Sequence, residues 1–155
     1  MTAGKPDLAQ FVGVFSTLAN QHREVTTLLD RVKADPEHRF ELWPLIRREL
    51  IAHERGEVEE LYPIPRARPE TLAYAEQHDR AAAELENSIA QLEETPIASN
   101  GWVDQFEDFA LAIEAHIADE ETTIFPRAQA LIGEAMAHDI DVRFLRAKHA
   151  VEAGT

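Results

Sequence analysis

The chain has 155 residues, 45% of them hydrophobic, which suits one domain with a sizeable core and rules out a disordered acidic tail. Its formal net charge of −14 would repel nucleic acid and anionic membranes, so neither is expected as a partner. There is no cysteine, which excludes disulfides, thiolate metal sites, iron–sulfur clusters and a cysteine nucleophile, and leaves nitrogen and oxygen to hold any metal.

No apolar run approaches the roughly 20 residues that span a bilayer. Met1 to Leu8 lacks the basic-then-apolar pattern of a secretion signal. A cytoplasmic protein is the expectation. In chain order, Leu8, Phe11, Phe15, Leu18, His22, Val25, Leu29 and Val32 recur at steps of three and four, the stripe of an amphipathic helix. Asp35-Pro36 closes it and opens the next helix. Leu42, Ile46, Leu50, His53, Glu57 and Leu61 form the second stripe. Pro44 inside it predicts a kink or a loosely helical start, and Pro63 and Pro65 are expected to end it. The third helix opens near Pro69 and carries Leu72, Ala75, His78, Ala82, Leu85, Ile89 and Leu92. Thr95 to Gly101 is a loop.

The fourth stripe is Trp102, Phe106, Phe109, Ile113, His116, Glu120 and Ile124, bent or interrupted at Pro126 and ended at Gly133. A short C-terminal helix is predicted over about residues 134–150. The fold class is therefore all-α, an up-down-up-down four-helix bundle over about residues 7–133, with residues 1–155 as a single domain.

Each of the four stripes holds a histidine: His22, His53, His78 and His116. Two are followed four residues later by glutamate, as His53…Glu57 and His116…Glu120, so each pair shares one helix face. In antiparallel helices, residues equidistant from a connecting loop lie at one level. His22 and His53 are nearly equidistant from Glu37, His53 and His78 from Pro65, and His78 and His116 from Ala98. All six groups can meet in one layer. A single core histidine or glutamate ordinarily has a hydrogen-bond partner or a base. Six at one level, with no lysine or arginine on the stripes, leave two buried carboxylates that only a metal ion compensates.

Four imidazoles and two carboxylates are too many for one tetrahedral zinc and too rich in nitrogen for calcium or magnesium. Two ions bridged by both carboxylates and by one oxide or hydroxide receive ten bonds of the twelve that two octahedral ions need. Two positions stay open, which on iron or manganese means small-ligand binding or redox chemistry. His53-Glu54-Arg55-Gly56-Glu57 begins like a zinc-protease H-E-x-x-H but ends in glutamate. In the absence of metal, Glu57 and Glu120 would repel, and one of them is expected to take up a proton.

These residues resemble the hemerythrin-like proteins with a histidine-histidine-glutamate (HHE) cation-binding domain. The matching features are His22, His53-x-x-x-Glu57 with Leu61-Tyr62-Pro63, His78, and His116-x-x-x-Glu120-Glu121 with Phe125-Pro126, over roughly residues 10 to 132. The resemblance implies a diiron centre, two non-haem irons shared by Glu57 and Glu120. Oxygen-carrying hemerythrins have a further histidine one turn after the third-helix histidine; here that position is Ala82, and the fourth-helix carboxylate is Glu120 rather than aspartate. The chain is therefore closer to bacterial relatives associated with peroxide, nitric oxide or iron handling.

Tyr62, five residues after Glu57, has two readings: a phenolate ligand replacing the missing histidine, or an ordinary aromatic with its hydroxyl in water. Glu60, Asp119 and Glu121 flank the site as either supporting partners or solvated groups. His38, His138 and His149 fall off the stripes and are expected at the surface, and Trp43 and Trp102 at the bundle ends. A small pocket is expected beside Leu18, Leu50, Ala82 and Ile113, with Ala75 and Ala82 leaving room for a ligand or serving close packing. Three functions remain open: peroxide decomposition or oxygen or nitric oxide reduction, non-catalytic oxygen or nitric oxide binding or sensing, and iron storage.

Overall fold

In the computed structural model, which describes residues 7–154, each segment with helical apolar spacing is a helix, and there is no strand among the described residues. Helix α1 spans Val14–Ala34 and buries Phe15, Leu18, His22, Val25, Leu29 and Val32. Asp35 turns extended, and its carboxylate accepts from the backbone N–H of Glu37 at 3.1 Å, which caps the turn into α2.

Helix α2 spans Arg39–Gly56 and runs through Pro44 without breaking. Pro44 lies on the solvent face, so the carbonyl it leaves unbonded can reach water. The helix does not stop at Pro63. It widens into a π-helical turn, Glu57–Leu61, and after Tyr62 resumes as the short α3, Pro63–Arg66. Pro63 thus opens a helix, where its missing N–H costs nothing. The bend is tied down by Thr71, whose hydroxyl donates to the carbonyl of Pro65 at 2.8 Å.

Helix α4 spans Leu72–Glu94, and Ser99 caps α5, Asn100–Asp119, by accepting from the N–H of Trp102. A second π turn, Glu120–Ile124, leads into α6, Phe125–Ile132, which Gly133 closes at φ +84. The last helix, α7, is not short. It spans Glu134–Gly154, as long as α1, because Ala137, Ile140 and Phe144 form a buried stripe that packs on α1, α2 and the first π turn.

The four long helices α1, α2, α4 and α5 surround two apolar clusters. One holds Val25, Leu29, Trp43, Ile46, Leu50, Leu85, Trp102, Phe106, Phe109 and Ile113. Trp43 and Trp102 meet there edge to face, with ring centroids 5.6 Å apart. The other holds Phe15, Leu18, Leu61, Tyr62, Ala75, Ile124, Phe125, Ile140 and Phe144. On every long helix the chain crosses from one cluster to the other at a histidine: His22 between Leu18 and Val25, His53 between Leu50 and Leu61, His78 between Ala75 and Leu85, and His116 between Ile113 and Ile124. A polar layer therefore divides the core. No helix among the described residues is long and apolar enough to cross a membrane.

Phe144 joins α7 to this layer. Its ring meets His53 edge-on at 6.2 Å and lies over Gly56, where a Cβ would come within 2.5 Å of Cε2. Only glycine admits the ring so close. Phe144→Ala is expected to cost about 3–5 kcal/mol of unfolding free energy, read by chemical denaturation. A loss below about 1 kcal/mol would mean that α7 is an accessory to the core and not a part of it.

Candidate metal centre

Two groups of donor atoms converge in the polar layer. His22, His53, Glu57 and Glu120 form one, and Glu54, His78 and His116 the other; within each, the donor atoms all lie within 4.8 Å of one another. All six residues singled out in the sequence come together, and Glu54 joins them. Glu57 spans the two groups: Oε1 touches Nε2 of His53, and Oε2 lies 2.8 Å from Nε2 of His78. Glu120 Oε1 lies 2.9 Å from Nε2 of His116 and 3.6 Å from Nε2 of His22. Glu54 Oε1 lies 2.8 Å from Nε2 of His78.

These approaches are not hydrogen bonds. Both nitrogens of His22 and His78, both oxygens of Glu57, Oε1 of Glu54 and Oε1 of Glu120 are buried without a hydrogen-bond partner. Nitrogen and oxygen come close, but the N–H directions do not point at the acceptors. Orphaned buried polar atoms of this kind cost free energy in a finished core. Lone pairs aimed at shared points between the side chains are the arrangement that cations satisfy, so the residues present fit a metal pair. The ion-pair partners of Glu54, Glu57 and Glu120 among the described residues are imidazoles, with no lysine or arginine.

The chain conformation explains the convergence. In an α-helix, residue i+5 sits well round from residue i. In the first π turn the N–H of Tyr62 bonds instead to the carbonyl of Glu57, at 3.0 Å, which stacks Tyr62 over Glu57 on the same face. The second π turn bonds the N–H of Phe125 to the carbonyl of Glu120 in the same way. Tyr62 then stacks on His78 with ring centroids 3.7 Å apart, and Phe125 on His22 at 5.7 Å. Each π turn thus delivers a carboxylate and, five residues on, the aromatic that covers an imidazole of the opposite helix pair.

Tyr62 is fully buried, so its hydroxyl is not in water as one reading had it; it donates to Glu120 Oε2 at 2.9 Å. Burial and the nearby carboxylates Glu120 and Glu57 push the phenol well above its usual range, so without a cation it stays protonated. One hydrogen bond fixes an imidazole, and one acid lies beside another. His53 Nδ1 meets Gln21 Oε1 at 2.7 Å, and His22 Nδ1 lies 3.7 Å from the buried Glu121. With Nδ1–H donated to Gln21, His53 presents the lone pair of Nε2 inward. Of the other flanking acids, Glu60 pairs with Arg143 at 3.2 Å and Asp119 is exposed. His138 and His149 are exposed, and His38 sits at the surface between Asp35 and Glu41.

The expected pocket is present in part. Leu50 and Ile113 line a cavity of about 20 Å³ beside His22, His53, Glu54 and His116. Leu18 packs instead in the second cluster with Ala75, and Ala82 is half-buried outside this cavity.

Glu54 and Gln21 were missed because i and i+1 do not share a helix face, and each is next to a stripe histidine rather than on the stripe. Glu54 was nevertheless marked by its place: it precedes Glu57 by three residues and follows Leu50 by four, both on one face with it.

Without metal the layer binds protons. Burial works against charging His78, but Glu54 and Glu57 outweigh it and raise its pKa to about 11. Burial is likewise overcome at His22, raised to about 10 by Glu120 and Glu121, and at His116, raised to about 9 by Glu120. Glu57 and Glu120 do not take up the proton expected from the sequence. Burial pushes both up, but His53 holds Glu57, and His116 and His22 hold Glu120, below the usual carboxylate range. The raised carboxyl is Glu54, through burial that outweighs its contact with His78.

The family of the hemerythrin HHE cation-binding domain matches residues 13–128. No curated protein and no solved structure matches the chain.

The raised histidines have a consequence for stability. Their folded pKa values exceed the ordinary 6.5, so the metal-free fold binds more protons than the unfolded chain. Their contribution is fully present below about pH 6.5 and is lost as pH rises through 9 to 11. Denaturation midpoints of the metal-free protein are expected to fall between about pH 7 and pH 10. Midpoints that rise over that window would contradict the layer's charge arrangement.

Proposed function

The chain belongs to the hemerythrin HHE cation-binding domain family, and from that premise we propose that it is a non-haem diiron protein acting on a small ligand, by peroxide decomposition or by oxygen or nitric oxide reduction. The observation that carries this is the set of orphaned donor atoms buried at two adjoining points. In this reading His22, His53, Glu57 and Glu120 would hold one iron, and His78, His116 and Glu54 would hold the other. The helices α1, α2, α4 and α5 run alternately up and down, which puts these donors at one level. A cytoplasmic location is part of the same reading.

Seven donors of nitrogen and oxygen exceed what one tetrahedral zinc takes, and three carboxylates with four imidazoles suit a pair of iron ions. Bound iron would supply the electron transfer to or from the ligand; the chain's own groups do the rest. The carboxylates Glu54, Glu57 and Glu120 neutralise the cationic pair and spare the core an uncompensated charge. Gln21 orients His53, and Glu121 adds negative charge beside His22. Tyr62 donates to Glu120 Oε2, which fixes the carboxylate, and holds a proton at its hydroxyl beside the centre. The cavity of about 20 Å³ among the donors has room for a water-sized molecule and none for an organic substrate. Its other walls, Val25, Leu50, Leu85, Ile113 and Ile117, are apolar.

The function is tested by loading the protein with ferrous iron without air and adding peroxide, nitric oxide and oxygen in separate runs. The expected result is fast oxidation of the centre by at least one of them, with sustained consumption of that ligand when a reductant is supplied or, for peroxide, with oxygen release. Iron that stays ferrous with all three would contradict the redox reading.

Tyr62 is tested by colour. Phenolate on ferric iron absorbs broadly at long wavelength. The hydrogen bond to Glu120 favours a donor role, so wild-type and Tyr62→Phe ferric spectra are expected to superimpose at long wavelength while both proteins keep their iron. A broad band lost in Tyr62→Phe would make Tyr62 a ligand.

A further inference from the structure

The layer of donors is not equally sealed on all sides. Toward α7 it is closed by Phe144 against His53, and the rings of Phe125 and Tyr62 cover His22 and His78. Toward the gap between α4 and α5 it is open. There the side chain of His116 is 21% exposed, whereas those of His78 and Glu57 are 0% exposed.

A cavity of about 360 Å³ lies in that gap, with His78 and His116 at its floor and Ala81, Ala112 and Ala115 in its walls. A second, of about 110 Å³, continues it along Ala81, Ala112 and His116. The small inner cavity that touches His22, His53 and Glu54 also touches His116. His116 is therefore common to all three, so one imidazole borders both the outer cleft and the inner cavity beside the donors. The alanines make the opening, since a larger side chain at these places would fill it. The mouth also carries Glu84 and Asp119 beside Arg80, on a chain of net charge −14, which favours approach of a cation, while His78 and His116 below carry protons in the metal-free fold that an incoming ion must displace.

We propose that the cleft between α4 and α5 is the route by which a divalent metal ion reaches the centre, with His116 the first donor it meets. This rests on reading the layer as a metal centre. The ion passes Glu84 and Asp119, exchanges part of its water for His116, whose proton leaves to solvent through the open cleft, and then reaches Glu54 and His78, so the α4–α5 side fills before the side held by His22 and His53.

The test follows uptake of cobalt(II) by the metal-free protein in rapid mixing, through the visible ligand-field bands of the bound ion. Ala112→Phe and Ala81→Leu narrow the cleft without replacing a donor. Leu111→Phe, on an exposed neighbour outside the cleft, is the control. Uptake in both narrowing variants is expected to slow at least about tenfold, with the control at the wild-type rate and with the same amount of cobalt bound at equilibrium. Replacing the exposed acids, Glu84→Lys with Asp119→Lys, is expected to slow uptake at low salt and less at high salt, because screening shortens the reach of the mouth's charge. Rates within twofold of wild type in the narrowed proteins, with normal final binding, would overturn the route alone. A wild-type protein that binds no cobalt at equilibrium would overturn the metal-centre reading and the route with it.

Discussion

Three carboxylates, Glu54, Glu57 and Glu120, are buried in the middle of an otherwise apolar core with imidazoles as their only ionic partners among the described residues. Everything else in the structure is arranged around that charge. Desolvating a carboxylate costs several kcal/mol, and a helical core of leucine, valine and phenylalanine has nothing to offset it. The layer must hold positive charge, either as protons on His22, His78 and His116 or as metal cations. The two apolar clusters on either side supply the stability that allows such a layer to exist, and their rings close it off from water on the α7 side.

The paired π turns convert this demand into geometry. An uninterrupted α2 would carry Tyr62 away from Glu57, and an uninterrupted α5 would carry Phe125 away from Glu120. The single extra residue in each turn brings the aromatic back over the carboxylate's face. The two halves of the site are alike in plan: histidine, glutamate four residues on, aromatic five beyond that, then proline. They differ in their donors, with Glu54 after His53 but Ile117 after His116, and in their aromatics. Tyr62 bears a hydroxyl that reaches Glu120, and Phe125 bears none. The centre is therefore asymmetric in its proton inventory and also in its exposure, with His116 facing the open cleft and His53 facing Phe144.

Much of this is legible in the chain. The steps of three and four between Phe15, Leu18, His22 and Val25 are enough to place a helix and its buried face, and the histidines mark one level on four such faces. The ligand candidates follow from residue type and spacing alone. What escapes is whatever depends on departures from ideal helix geometry. Glu54 and Gln21 lie one position from a stripe histidine, at the edge of the apolar stripe, where a polar side chain can turn to solvent or to the core; packing of α2 against α1 and α4 buries both. Pro63 looks like a terminator, but the preceding π turn lets it open a new helix. The length of α7 escapes because its stripe of Ala137, Ile140 and Phe144 is sparse among charged residues, and only contact with Gly56 and the first π turn shows that it belongs to the core.

The proposed pair of iron ions side by side among the buried donors is open to iron X-ray absorption on the ferric protein, with the iron content per chain measured on the same sample. Two irons per chain are expected, each surrounded by nitrogen and oxygen only, with a clear iron–iron scattering signal at short range that Glu57→Ala removes. One metal ion per chain, or two without an iron–iron signal, would contradict it.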